Sequence, residues 1–537
     1  MVYDFAKLTP SPEFSWTPCF GNFTCTLLTV PLDYKNTAAG TTNVAFIKWT
    51  APPSNTTYST SPQDILINPG GPGGSGVDYL INALPYFIAA GGSQNNYVGF
   101  DPRGVNNSGP DLSCFPGRHG TNNLYERELG LPPDVNDPRT LVEQWSRAGA
   151  FGEWCSQVHS SGNSTAKYAN TVATATDMLH YTELLAKSKG EDATKSKLWY
   201  WGVSYGTVLG TTFASLFPSR IGRMVVDGVV DGEDYYAGKW EANVVDADAA
   251  VQSFFTYCHD AGASNCPLWA SSPSAIESRY HDIIDTLKSR PALVNTPELS
   301  DFPTIVTYRD YQNIFLSTLY APDVYFPILA QGLLALESGN ASVIARFTGT
   351  GIRPEKCDLP TARSARDLEP LPFIACADAN GRYLLNDYDA YVNHVRILAN
   401  SSHYVGEAWS FLALDCRKLN IRAPSSQVLP DGTYPSASNT SSPLLFVSNT
   451  IDPVTPLRSA RKMAARFGGA GLLVQDAVGH SSQSTASDCT YEALTKYFAN
   501  ATLPAKDTIC KPNGLPFQNG TMAAAGAGLG KRGLVGR

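Results

Sequence analysis

The chain is 537 residues long, 43% hydrophobic and 16% charged, with a formal net charge of −8. That length exceeds one ordinary core and implies either a large domain carrying an insertion or two domains. An acidic balance without clustered Lys/Arg excludes nucleic acid as a partner. No run reaches the ~18 apolar residues of a membrane-spanning helix, so a soluble chain with no membrane partner is expected.

In chain order, residues 1–20 read as an irregular lead-in, and Cys19 and Cys25 lie close enough to close a small loop. Thr26 to Val30 and Asn43 to Trp49 form a hairpin around the turn at Pro31-Leu32-Asp33-Tyr34. Asp64 to Asn68 is continuously apolar between its ends, the pattern of a strand buried on both faces of a parallel sheet. It runs into Pro69-Gly70-Gly71-Pro72-Gly73-Gly74-Ser75-Gly76, where five glycines in eight residues leave backbone N–H groups free to face a ligand. Such a loop suits a phosphate nest or an oxyanion hole. A phosphate cradle would call for a lysine that is absent here, and the prolines interrupt it.

Tyr97 to Asp101 is the next buried strand, closed by Pro102-Arg103-Gly104, and Arg103 at its end is assigned a bracing role. Residues 105–165 read as a polar excursion in which Cys114 and Cys155 can pair. Tyr168 to Lys187 has helical periodicity, with Val172, Ala175, Met178, Leu179, Leu184 and Leu185 on one side. The strand Leu198 to Trp201 leads into Gly202-Val203-Ser204-Tyr205-Gly206, and a helix then runs to Leu216 and stops before Pro218. Glycines at 202 and 206 fit a tight strand-to-helix corner where larger side chains would collide, and the corner exposes the Ser204 hydroxyl at a helix N-terminus. Arg223 to Asp227 is another short strand, so the stretch from 64 to 230 implies a mainly parallel sheet with right-handed crossovers.

From about 233 to 415 short strands disappear and helical patterns take over, at Ala249–Cys258, Ala275–Leu287, Tyr308–Tyr320, Tyr325–Leu336 and Tyr388–Ala399. Cys258 and Cys266 can close a local loop there, whereas Cys357, Cys376 and Cys416 cannot all pair among themselves. The sheet resumes with Pro443 to Ser448, which ends at Asn449-Thr450-Ile451-Asp452-Pro453-Val454-Thr455-Pro456. A helix over Leu457–Phe467 and a strand over Gly471–Gln475 follow, then Ala477-Val478-Gly479-His480-Ser481-Ser482 and a last helix over Thr485–Phe498. Cys489 and Cys510 can staple that helix to the tail, and residues 511–537 are Gly/Ala-rich, with Lys531-Arg532, and are expected to be disordered. The resulting division is 1–232 and 416–512 as two parts of one α/β core, 233–415 as an inserted helical lid, and 513–537 as a tail.

A serine on such a corner needs a base to take its proton and a carboxylate to orient that base. The order Ser204, Asp452, His480, with the last two just past the ends of late strands, is that of the α/β-hydrolase arrangement. Asp227 and Asp231 also follow an apolar strand and are the alternative acids. In the expected reaction Ser204 attacks a carbonyl, His480 is the general base and Asp452 holds its tautomer. The N–H groups of Tyr205 and of Gly70 or Gly71 take the oxyanion. No cofactor is called for, and no His-Glu-x-x-His or similar grouping marks a metal site. Asp78 and Asp378 are candidate anchors for a substrate amine, though solvated surface roles fit each better.

These segments together resemble a known group: Asn68-Pro69-Gly70-Gly71-Pro72-Gly73-Gly74-Ser75-Gly76, Gly99-Phe100-Asp101-Pro102-Arg103-Gly104, Gly202-Val203-Ser204-Tyr205-Gly206, Asp452-Pro453-Val454-Thr455-Pro456 and Gly479-His480-Ser481. They are similar to the secreted tripeptidyl aminopeptidases of the prolyl aminopeptidase family of α/β-hydrolase serine peptidases. The resemblance covers most of 20–512. It implies cleavage of short peptides or amides from a free N-terminus under a helical lid, but the family's amine-binding glutamates find no match in 233–415. A carboxylesterase using the same three residues is the alternative, and a non-enzymatic binding protein on the same scaffold is a third reading. Secretion is expected from the eleven cysteines without a Cys-x-x-Cys pair, and from sequons at Asn22, Asn55, Asn106, Asn163, Asn340, Asn400, Asn439, Asn500 and Asn519. Met1-Val2-Tyr3-Asp4 does not open a signal peptide, so a leader is expected to have been removed or to be missing from the sequence. A monomer is expected.

Overall fold

Strand β4 (Asp64–Asn68) is buried along its whole length, and its alternating side chains serve two cores. Ile65 and Ile67 point to one face of the sheet and Leu66 to the other, as the two-residue period of a strand dictates. Strand β6 (Leu198–Val203) divides the same way, with Leu198 and Tyr200 opposite Trp201 and Val203. The computed structural model describes residues 1–53, 62–116, 129–162, 164–295, 297, 300, 302–348 and 370–518.

The sheet has the order β1-β2-β3-β5-β4-β6-β7-β10-β11-β12. β1 (Thr17–Cys19), β2 (Phe23–Pro31) and β3 (Thr41–Trp49) are antiparallel, and β3 also runs antiparallel to β5 (Asn96–Phe100). From β5 onward every pairing is parallel, through β7 (Ile221–Asp227), β10 (Leu445–Ile451), β11 (Gly471–Val478) and β12 (Ile509–Cys510). Helices α1 (Gly76–Gly91) and α16 (Asp488–Asn500) cover one face. Helices α3 (Thr171–Ser188), α4 (Tyr205–Leu216) and α15 (Leu457–Ala464) cover the other. The chain leaves β4 toward β5 on one side and returns to β6 on the other. The loops after β4 and β6 therefore flank a crevice at the carboxyl ends of the strands.

Between β7 and β10 the chain is mostly helical. Here lie α5 (Gly232–Ala237), α6 (Ala247–Ala261), α7 (Pro273–Ser289), α8 (Tyr308–Thr318), α9 (Pro322–Glu337) and α10 (Ser342–Thr348). After them come α11 (Pro370–Ala379), α12 (Tyr388–Ser401), α13 (Gly406–Trp409) and α14 (Phe411–Leu414). A short antiparallel pair, β8 (Ala292–Val294) with β9 (Thr304–Val306), also sits there, where the sequence reading placed no strand.

Three expectations change. The stretch read as a polar excursion contains α2 (Pro138–Val158), capped by Asp137 and opened by Pro138. Its buried stripe runs Leu141, Gln144, Ala148, Phe151, Gly152, Cys155, and the polar and small residues in that stripe hide the periodicity. The lead-in is not wholly irregular, since β1 pairs with β2 and the Val2 N–H donates to Pro18 O. The tail does not loosen at 511, because Phe517 is buried and its ring lies 6.2 Å from that of Phe254.

Disulfides join Cys19–Cys25, Cys114–Cys155, Cys258–Cys266, Cys376–Cys416 and Cys489–Cys510. Cys357, the sequons at Asn55, Asn163 and Asn519, and residues 519–537 lie outside the described residues. Among the described residues no helix is long and apolar enough to cross a membrane.

Candidate active site

Ser204 stands between β6 and α4 with φ 58° and ψ −126°, in the left-handed half of backbone space. The corner is as tight as the sequence implied: a Cβ on Gly202 would lie 2.3 Å from Gly206 O, and one on Gly206 would lie 2.8 Å from Asn68 O. Ser204 N–H donates to Asp227 O at 3.0 Å, and Ser204 O accepts from the Thr207 N–H and hydroxyl at 2.8 and 2.6 Å. These bonds hold a conformation that an L residue seldom adopts.

The glycine-rich loop lies directly against this corner. A Cβ on Gly70 would come within 2.5 Å of Val203 O, 2.7 Å of Ser204 Cβ and 2.9 Å of Tyr205 N, so only glycine fits there. Gly70 is not an oxyanion donor, because its N–H is already donated to Asn68 Oδ1 at 3.0 Å. Among the described residues the N–H groups of Gly71 and Tyr205 donate to no protein acceptor. Those two groups remain as donors toward a ligand.

Asp452 and His480 meet above β10 and β11. The His480 Nδ1 lies 3.1 Å from Asp452 Oδ2 and 3.2 Å from Oδ1. Asp452 is fully buried and further fixed by the N–H groups of Val454, Thr455 and Ser481 and by the Thr455 hydroxyl. Burial pushes the Asp452 carboxyl up. The His480 ring opposite it, with bonds from Ser481 and Thr455, outweighs burial and holds it below the ordinary carboxylate range. A carboxylate on Nδ1 assigns the Nδ1–H tautomer and leaves Nε2 as a base. Nε2 is buried and, among the described residues, has no protein partner, and no hydrogen bond joins it to Ser204 Oγ. Hydrogen bonds between catalytic groups are often long or poorly aligned until a substrate is bound.

The other sequence candidates separate cleanly. Asp231 caps α5 and pairs with Lys462 at 2.8 Å. Asp227 does not touch His480 Nδ1, and its carboxylate instead accepts from Ser482 N–H at 2.9 Å and Ser482 Oγ–H at 2.5 Å. Asp227 thereby ties the serine corner, through its backbone, to the histidine loop, through its side chain. Arg103 braces as expected, forming a two-pronged pair with Asp177 at 2.7 and 2.8 Å. Asp78 is exposed on the first turn of α1. Asp378, read as a surface residue, is 5% exposed and fully engaged with Thr171 and Tyr235.

The sequence reading missed several residues that shape the site. Asp101 accepts from Ser75 Oγ and Val77 N–H on one oxygen and from Asn107 on the other, which fastens the glycine-rich loop to the end of β5. Asn449 Nδ2 faces Gly479 O, Ser481 O and Ser484 Oγ and so anchors the histidine loop. The helical segment reaches both loops as well. His480 N–H donates to Tyr320 O at 2.8 Å, the Tyr320 and His480 ring centres are 4.9 Å apart, and Pro370 abuts Gly73.

Burial pushes the Asp227 carboxyl up to about 6, against the bonds from Ser482, from an ordinary 3.8. The native state therefore keeps a proton between about pH 4 and 6 that the unfolded chain has released, so this contribution is present below that window and lost as pH rises through it. Between pH 4 and 7, wild type is expected to lose about 2 kcal/mol relative to Asp227→Asn, as read from urea unfolding at the two pH values. An equal change in both proteins would show that Asp227 titrates normally.

Residues 65–281 match the family described as alpha/beta hydrolase fold, and residues 402–510 match the family described as TAP-like protein. Serine protease Hip1 of Mycobacterium tuberculosis is 26% identical over 513 residues, covering 92% of this chain and 90% of its own. Tripeptidyl aminopeptidase of Streptomyces lividans is 24% identical over 502 residues, covering 92% and 84%. Carboxylesterase B of Mycobacterium tuberculosis is 27% identical over 519 residues, covering 94% and 91%.

Proposed function

The chain belongs to the α/β-hydrolase family, and from that premise we propose that it is a serine aminopeptidase that removes short peptides or residues from free N-termini. The observation that carries the hydrolytic part is the buried Asp452 carboxylate on His480 Nδ1, with Nε2 left without a partner among the described residues. In this reading Nε2 takes the Ser204 Oγ proton as Oγ attacks the carbonyl carbon. The Tyr205 and Gly71 N–H groups receive the oxyanion, each typically worth about 3 kcal/mol of barrier. The imidazolium then protonates the leaving amine, the acyl-enzyme forms, and water, activated by the same Nε2, releases the acid and restores Ser204.

The peptide part of the proposal is supported by the relatives named as a serine protease and a tripeptidyl aminopeptidase. The relative named Carboxylesterase B supports a second reading, ester hydrolysis by the same three residues. The segment 233–415 is read as a lid, supported by its contacts with the histidine loop through Tyr320 and with the glycine-rich loop through Pro370. An extracellular site of action is supported by the five disulfides and by exposed sequons at Asn22, Asn340, Asn400, Asn439 and Asn500.

A panel of chromogenic amides (free and N-blocked single residues, dipeptides and tripeptides) together with simple esters tests the proposal, with Ser204→Ala beside wild type. Ser204-dependent release from unblocked peptides, and loss of it on blocking the amine, is the expected result. Turnover of esters alone would replace the peptidase reading with the esterase one.

A further inference from the structure

We propose that helix α11 braces both halves of the oxyanion site and that Asp378 is a positioning residue for the Tyr205 N–H, an inference that rests on the reading of Ser204 as nucleophile. The two ends of α11 reach the two proposed donors. At the first end, a Cβ on Gly73 would lie 2.9 Å from Pro370 Cγ, so the helix start presses on the glycine-rich loop two residues beyond Gly71. At the other end, Asp378 Oδ1 accepts the Thr171 N–H at 2.9 Å. Its Oδ2 accepts the Thr171 hydroxyl at 2.5 Å and the Tyr235 hydroxyl at 2.7 Å.

The direction of the next bond follows from proton count. Thr171 has one hydroxyl proton, and it is committed to Asp378. The 2.5 Å contact between Thr171 Oγ1 and Tyr205 OH therefore carries the tyrosine's proton toward the threonine. A relay of two hydroxyls links the Asp378 carboxylate to the side chain of the residue whose backbone N–H faces the oxyanion. All three members are buried, and the Tyr205 ring also lies 5.6 Å from that of Tyr235.

The corner needs such a hold. Ser204 keeps a left-handed conformation, and residues do so only where the surroundings over-determine it. An oxyanion donor must also stay within about 2.7–3.1 Å of the developing charge. Anchoring the Tyr205 ring to α3 and α11 stops the following peptide from swinging out of that range. The brace is itself fixed: every residue of α11 is buried, Cys376 is bonded to Cys416, and Arg382 donates to Asp378 O and Tyr236 O at 2.9 Å each. Among the described residues no hydrogen bond or ring contact joins this network to His480, so its effect belongs to the oxyanion and not to the base.

The test uses the full-length protein with Tyr205→Phe, Thr171→Val, Thr171→Ser and Asp378→Asn. Rates on p-nitrophenyl acetate and on the fastest amide of the panel are expressed per active site, titrated with a phosphonate. Inhibition by a small aryl boronic acid, whose tetrahedral adduct places an oxygen where the oxyanion forms, is measured alongside. Tyr205→Phe and Thr171→Val are expected to lower kcat and weaken boronate binding in parallel by about tenfold, part of the ~10²–10³ lost when a donor is removed. KM should stay unchanged, and Thr171→Ser should behave as wild type. A purely structural role would reduce the titrated fraction without changing kcat per site. Should Asp378→Asn not accumulate in folded form, Tyr205→Phe, which keeps the ring, decides. Wild-type kcat and boronate affinity in folded Tyr205→Phe and Thr171→Val would overturn the brace. Undiminished activity in Ser204→Ala would instead overturn the serine reading beneath it.

Discussion

Asp452→Asn is expected to lower kcat by about 10⁴-fold on any substrate the protein turns over, while Asp227→Asn lowers it by less than about tenfold. The difference follows from what each carboxylate touches. Asp452 accepts from His480 Nδ1 and so keeps the proton there and the lone pair on Nε2. An asparagine amide pointed at Nδ1 donates instead, which selects the opposite tautomer and leaves Nε2 protonated before the serine can be activated. The same substitution places an N–H₂ group among the donors of Val454, Thr455 and Ser481, so a lower melting temperature is expected with the lost activity. Among the described residues the Asp227 carboxylate accepts from Ser482 alone, where an asparagine oxygen can still accept from the N–H and the hydroxyl can turn to accept from the amide. Its bond to the Ser204 N–H comes from the backbone and survives any substitution. Steady-state kinetics of the two variants on one substrate decide between the acids. If Asp227→Asn took the larger loss, the histidine would be reading the wrong carboxylate in the present assignment.

Why could Ser204, Asp452 and His480 be proposed from the sequence while the residues that support them in the structure could not? Ser204, Asp452 and His480 each follow a short strand, and β4 and β6 advertise themselves as apolar runs that lead into glycine-containing turns. Those are local signals. Asp378 gives no such signal, because what makes it structural is Thr171 on α3 and Tyr235 on α5, distant in the chain and brought together only by folding. Asp227 and Ser482 are likewise 255 residues apart. Helix α11 is buried on every side, so it lacks the one-sided periodicity that reveals a helix on a surface. The Gly70 error has a different origin. Composition told that the loop exposes N–H groups but not that Asn68, at the strand end, turns back to claim one of them.

Ser204→Gly is expected to abolish turnover, by about 10⁵-fold or more, and yet to be more stable than Ser204→Ala by about 1 kcal/mol. Both variants lack the hydroxyl, so both should fail to react with a phosphonate. They differ in backbone. At φ 58° and ψ −126° a residue with a Cβ carries a strain of about 1–3 kcal/mol, which alanine retains and glycine relieves. Glycine also gives up about 0.5–1 kcal/mol through the greater freedom of the unfolded chain, which leaves a net gain of about 1 kcal/mol. Urea unfolding of the two inactive variants, compared at equal slope, isolates that term from any effect of the hydroxyl. Equal midpoints would mean that the corner holds serine without strain. A higher midpoint for glycine would mean that the chain gives up stability at this position to keep an oxygen at the tip of β6. Such a cost makes sense only if the oxygen reacts.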